Sequence, residues 1–186
     1  NDNHKNLYKM AKRYSTVTIT PTIVKADFGN NDVMGDFTRL PLPVRDGESV
    51  MLKSIAVIDA ADLGKNFDII FVKNTDGDAE LGTHDGAVDI TDANLRTNVF
   101  LGSVSVDGDA ATAATKSISA SDLIASKVTT LTDINLILTS SVDQTITDHE
   151  SAQTGCYFGI IAREATDVSG ESGNDHLTIT FGFETF

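Results

Sequence analysis

Apolar residues along most of this chain recur at every second position, the spacing of a half-buried β-strand. STVTITPTIVK, residues 15–25, alternates Val17 and Ile19 and resumes after Pro21 at Ile23. Its β-branched residues favour a pleat. Pro21 withholds a ladder donor, which predicts an edge strand or a broken one. Residues 26–44 read as irregular, with Gly29, Asn30, Asn31 and Gly35 as turn formers and Pro41 and Pro43 holding the end extended. The chain then turns at Asp46-Gly47 into a long strand. By strict parity Val50 and Leu52 lie on one face of it and Ile55 and Val57 on the other. One extra residue near Lys53-Ser54 would bring all four to the core side.

NFDIIFVKN, residues 66–74, is almost continuously apolar and predicts a central strand covered on both faces. TGCYFGIIARE (154–164) is of the same kind. Further strands are expected at VFLGSVSV (99–106), around Ile134–Thr139, and at HLTITFGFETF (176–186). Helical spacing is scarce. Thr91 can cap a turn or two over DITDANLRTN, with Asp92 at the electropositive start. A second short helix fits SASDLIAS, capped by Ser119 or Ser121, inside an Ala/Ser/Thr-rich connection. Leu7, Met10 and Ala11 share a face within residues 1–15, a length that does not hold as an isolated helix.

About eight strands without helical crossovers must pair mostly antiparallel, and one-faced sheets must bury that face against each other. The expected fold is therefore all-β: an antiparallel β-sandwich, jelly-roll-like, with an N-terminal extension. The division is a basic arm over residues 1–15 and one sandwich domain over 16–186. Aromatic residues make up 6% of the chain and tryptophan is absent, which predicts an aliphatic core and does not fit the immunoglobulin pattern. No apolar run approaches the roughly 18 residues of a membrane span, so no membrane partner is expected, and the polar, basic start does not read as a secretory signal.

Charge separates the arm from the body. The net charge is −13. Lys5, Lys9, Lys12 and Arg13 stand against Asp2 in the arm, a net of +3 that leaves −16 on the remainder. An acidic body disfavours phosphate backbones, so nucleic acid is not an expected partner. The arm is expected to dock on an acidic neighbour, with another copy of the chain among the candidates. Lys5, Lys9, Lys12 and Arg13 are the partner-docking candidates, Lys12 and Arg13 foremost.

Candidate chemistry is thin. In NTDGDAELGTHDG an EF-hand register from Asn74 places Asn74, Asp76 and Asp78 at the first, third and fifth positions. The sixth is Ala79 where glycine is required, and the twelfth is Asp85. Asp76, Asp78 and Asp85 are thus weak metal candidates, and Gly77 suits a plain hairpin turn. His4, His84, His149 and His176 lack metal-ligand spacing. Cys156, the one cysteine, lies among apolar neighbours and reads as a core residue. The chain shows neither a nucleophile elbow nor a phosphate-cradling glycine loop. No cofactor and no enzymatic activity are expected.

The run SVMLKSIAVIDAADLGKNFDIIFVKNTDG followed by DITDANLRTNVFLGSVSV resembles small virion structural proteins of tailed, mainly marine, bacteriophages. The likeness rests on Ile55–Asp59, Phe67–Phe71, Asp89–Leu95 and Val99–Val106, with TITPTI and YFGIIARE also fitting. It covers residues 16–106 and leaves the arm and residues 107–155 outside. The resemblance implies a place on the capsid surface of the virion as a decoration or cement protein, with the major capsid protein as partner and a homo-oligomeric state. Strand addition and repeated lattice sites would supply the grip. The alternative is a receptor- or glycan-binding domain at a tail, which predicts exposed loop aromatics.

Overall fold

A computed structural model describes residues 12–23, 27–59, 65–75, 81–107, 127–142, 154–167 and 177–185. The strands are β1 (Arg13–Ile19), β2 (Asp27–Phe28), β3 (Val33–Pro41), β4 (Ser49–Asp59) and β5 (Phe67–Val72). After them come helix α1 (Asp92–Thr97), β6 (Phe100–Val106), β7 (Lys127–Thr139), β8 (Ser141–Val142), β9 (Thr154–Ala162), β10 (Thr166–Asp167) and β11 (Leu177–Thr185).

The eight long strands pair as one folded-over hairpin: β1 with β11, β3 with β9, β4 with β7 and β5 with β6, all antiparallel. Wrapping that hairpin round a core brings β11 against β4 and β9 against β5. The result is two sheets, β1-β11-β4-β7 and β3-β9-β5-β6, with β8 attached to β9 and a two-residue pair β2/β10 apart from both. This nested wiring is that of a jelly roll. Pairing begins at Arg13, so the last residues of the sequence-defined arm belong to the sheet.

The bulge expected in β4 is present. Ser54 faces Gly182 and Leu52 faces Phe183, so Lys53 is the unpaired extra residue. Val50, Leu52, Ile55 and Val57 are all buried in consequence. Opposite Lys53 the β7 backbone bows out at Asp133 and Asn135, with φ of 59° and 56°. β3 corrects the irregular reading of residues 26–44. It is a nine-residue edge strand whose register shifts on both sides of Gly35, which erases the alternation. Pro41 is tolerated at its end because no inner ladder needs its donor.

The core is aromatic at its centre, which corrects the aliphatic expectation. Phe28, Phe67, Phe71, Phe158, Phe181 and Phe183 are buried. Phe181 of β11 meets Phe158 of β9 at 5.1 Å and Phe71 of β5 at 6.1 Å between ring centroids, joining the two sheets. The low aromatic share is concentrated where it packs best. Cys156 is buried in the same core, and burial pushes its thiol up to about 12.

Candidate functional site

Three places carry the sequence-derived candidates or lie beside them. The first is the acidic loop after β5. Asp76 and Asp78 lie outside the described residues, as do His4, His149, His176 and the SASDLIAS segment. Asp85 is exposed at a turn with φ 60°, its N–H donating to the Val33 carbonyl. His84 bridges Val33. Leu81, fully buried, packs with Val33 and Ile70 in a small second core on the outer side of the sheet. The Leu81 N–H donates to Asp36 at 2.9 Å, and Val88 donates to the Asn31 carbonyl. Residues 81–90 therefore cover the outer face of β5. That is how a nearly continuous apolar strand is buried on both sides without a helix above it. Among the described residues no group of three or more His, Cys, Asp or Glu side chains stands close enough to hold a metal ion.

The second place is the root of the arm. Lys12 forms an ion pair with Glu184 on the outer face of β11. The lysine side chain is 65% exposed and the glutamate 5%. The hydrogen bond from Lys12 is the main cause that holds the Glu184 carboxyl below its ordinary value. Burial opposes it, and the charges of Lys12 and Lys53 and a hydrogen bond from Tyr14 assist. The same hydrogen bond raises the Lys12 ammonium. Lys12 is thus engaged within its own chain, a partner the sequence did not reveal. Arg13 is exposed at the sandwich end, its carbonyl accepting from the Thr185 hydroxyl. Lys5 and Lys9 lie outside the described residues. Away from Glu184 and the Lys53 ammonium, which reaches Asn135 on β7, the outer face of this sheet is rich in hydroxyls. Thr18, Thr180, Ala56 and Thr130 form one row across its four strands, and Thr16, Gly182, Ser54 and Thr132 the next.

The third place is the exit of α1. Thr91 caps the helix as expected, accepting from the Asn94 N–H at 3.1 Å, and Asp92 lies in the first turn. Asn98 closes it, and the next residue, Val99, has φ 56°. That is the left-handed position where glycine or asparagine normally ends a helix. A β-branched residue there is a true outlier, costing on the order of 1–3 kcal/mol. The end of β5 holds it in place: the Lys73 N–H donates to the Asn98 and Val99 carbonyls, each at 3.0 Å, and Asn74 to Asn98. Val99 is nevertheless 46% exposed and the following Phe100 50%. With Leu95, Asp92 and Arg96 they line an open hollow of about 640 Å³. Val99 also borders a second hollow of about 380 Å³ that includes Asp46, Lys73 and Val142. Sequence reasoning missed this pair. Two apolar residues directly after a helix end, where a turn former is due, were the available signal.

The arm root and the hollows lie at one end of the sandwich. A single row runs Arg13–Thr185–Val50–Leu138 across the first sheet, and Ser140–Val142 follow at once beside the second hollow. They stand on opposite flanks: β1 lies against β3, and β7 against β6.

No protein-family model matches the chain, and no curated protein matches it. Among solved structures the chain is similar to the VP2 subviral particle of infectious bursal disease virus. The match has 12% identity and a TM-score of 0.35, over 93% of this chain and 32% of that one. The chain thus spans about a third of the length of that protein, and a likeness at this level bears on neither family nor function.

Proposed function

We propose that this chain is a non-enzymatic structural protein of a phage virion, a capsid decoration or cement protein that bridges major capsid subunits. One observation carries the reading: a rigid acidic sandwich roots a basic N-terminal segment on its edge strand β1 through the Lys12–Glu184 pair. A bridging protein needs a stiff body and a chain segment that reaches beyond it, and it needs no reactive group. The segments that resemble small phage virion proteins fall on consecutive elements, β4, β5, α1 and β6, divided between the two sheets. The hydroxyl-rich face of the first sheet offers a second surface on which a neighbour packs with little charge repulsion.

The test is quantitative mass spectrometry of purified particles, with and without residues 1–11. A decoration protein is present in hundreds of copies, and removal of the segment lowers its occupancy. Unchanged occupancy removes the docking role, and a handful of copies removes the shell role. A tail-associated receptor- or glycan-binding domain is the second reading. The half-exposed Phe100 beside a hollow with Asp92 and Arg96 is the observation that favours it, since sugars stack on such rings.

A further inference from the structure

Val99 departs from expectation twice over. Its backbone conformation disfavours a β-branched side chain, and its exposure wastes an apolar one. Either departure alone would be removed by glycine. Both are accounted for together when the side chain is covered by something other than the described residues around it. Phe100 beside it opens β6, the outermost strand of its sheet, so the uncovered ring sits where a strand edge is also available.

We propose that the Val99–Phe100 ridge receives the N-terminal arm of a second copy of this chain, so that copies join arm-to-ridge around an axis. Three observations select this occupant. The arm carries Leu7, Tyr8 and Met10 among its lysines, large apolar side chains suited to an apolar ridge. The five residues from Leu7 to Ala11 reach up to about 17 Å beyond the root at Lys12 when extended. The arm leaves beside β1 and the ridge lies beside β6 and β7, at the same end but on opposite flanks. Such a contact is heterologous, and repeated it closes into a ring when the rotation allows. Lys5 and Lys9 against Asp2 give residues 1–11 a net charge of +1, which adds a weak attraction to the −14 of the remainder. At the hollows the charges balance, Asp92 with Arg96 and Asp46 with Lys73, so apolar contact sets the register there. The inference deepens the bridging reading by naming one partner, and it is testable without particles.

Sedimentation velocity of the full-length protein at neutral pH and low salt reads the association. The unaltered protein is expected to self-associate. Deletion of residues 1–11 and Phe100→Asp are each expected to weaken association about tenfold or more. An equal mixture of those two variants recovers a pair, because one retains the ridge and the other the arm. Val99→Gly is expected to hold or raise the thermal midpoint while weakening association, a combination that a purely structural role for Val99 does not produce. A monomeric unaltered protein overturns the inference. So does association that survives loss of the arm, association indifferent to Phe100→Asp, or a mixture that fails to pair. Loss of occupancy on particles without any change in self-association overturns this inference and leaves the proposed function standing. Sugar binding abolished by Phe100→Asp, with association unchanged, overturns it in favour of the tail reading.

Discussion

Gly155→Ala is the substitution whose cost the structure fixes best. Gly155 opens β9 with a strand on either side, facing Pro41 of β3 and Ser141 of β8. A Cβ there would lie well inside van der Waals contact distance of the Leu40 carbonyl oxygen, and 3.1 Å from both the Leu40 carbonyl carbon and the Pro41 Cα. These are backbone atoms, so no rotamer change relieves the overlap and β3 must move away from β9. Overpacking of this kind costs about 1–3 kcal/mol. One or two of the bonds that tie these strands, such as Leu42 N–H to the Thr154 carbonyl at 3.0 Å, would stretch at about 1 kcal/mol each. The expected loss is about 3 kcal/mol, or a drop of about 6–12 °C in thermal midpoint for a chain of this size. Two controls calibrate it. Gly159→Ala overlaps the Leu81 side chain at 2.7 Å, which can give way, and makes ordinary contact with Phe37 and the Gly35 carbonyl, so about 1 kcal/mol is expected. Gly47→Ala meets nothing within 4 Å but sits at φ 75°, for about 1 kcal/mol of backbone cost. Urea unfolding of the three variants, with the slope checked for constancy, measures the order. If Gly155→Ala is no worse than Gly47→Ala, the strand contact at Leu40 is not as close as described and the reasoning fails.

The Lys12–Glu184 pair makes the arm root sensitive to pH at both extremes. Glu184 is depressed, so its contribution is complete above the ordinary glutamate range and is lost as pH falls through its folded value. Lys12 is raised, so its contribution is present below the ordinary lysine value and is lost as pH rises past the folded one. Hydrogen exchange of the β1 amides should therefore be slowest between these limits, and Glu184→Gln should flatten the acid limb; an unchanged limb refutes the pairing. Phe181→Ala removes the ring shared by Phe71 and Phe158 and should cost about 3–5 kcal/mol, read by urea unfolding and loss of near-ultraviolet dichroism. A cost near 1 kcal/mol would show that the sheets are not held through it. Cys156, with its thiol near 12, should resist alkylation in the folded protein at pH 8 and react fully in urea; rapid labelling of the folded chain contradicts its burial.

Where a strand's partner lay on one predictable side, the sequence was legible. The parity conflict between Val50–Leu52 and Ile55–Val57 named its own remedy, and Lys53 is the bulged residue. Thr91 and Asp92 announced α1 by capping chemistry alone. Legibility failed where tertiary context overrode local pattern. β3 hides its alternation behind two register shifts around Gly35. β7 begins at Lys127, earlier than its apolar centre, because its first half presents Thr130 and Thr132 to the outer face. The acidic loop after β5 looked like a site and is, over residues 81–90, a cover held by Leu81. Glu184 gave no sign of a partner because Lys12 lies at the other end of the chain. Val99 and Phe100 were read only as part of a strand, since neither exposure nor φ can be seen in letters.

The antiparallel pairing of β1 with β11 also has a mechanical side. A pull on the N-terminal segment along the axis of β1 loads the whole ladder from Arg13–Thr185 to Ile19–Ile179 in shear, not one rung at a time. β11 passes that tension to β4 over nine registered pairs and, through Phe181, to the opposite sheet. A tether fixed in this way yields only when the sandwich itself does.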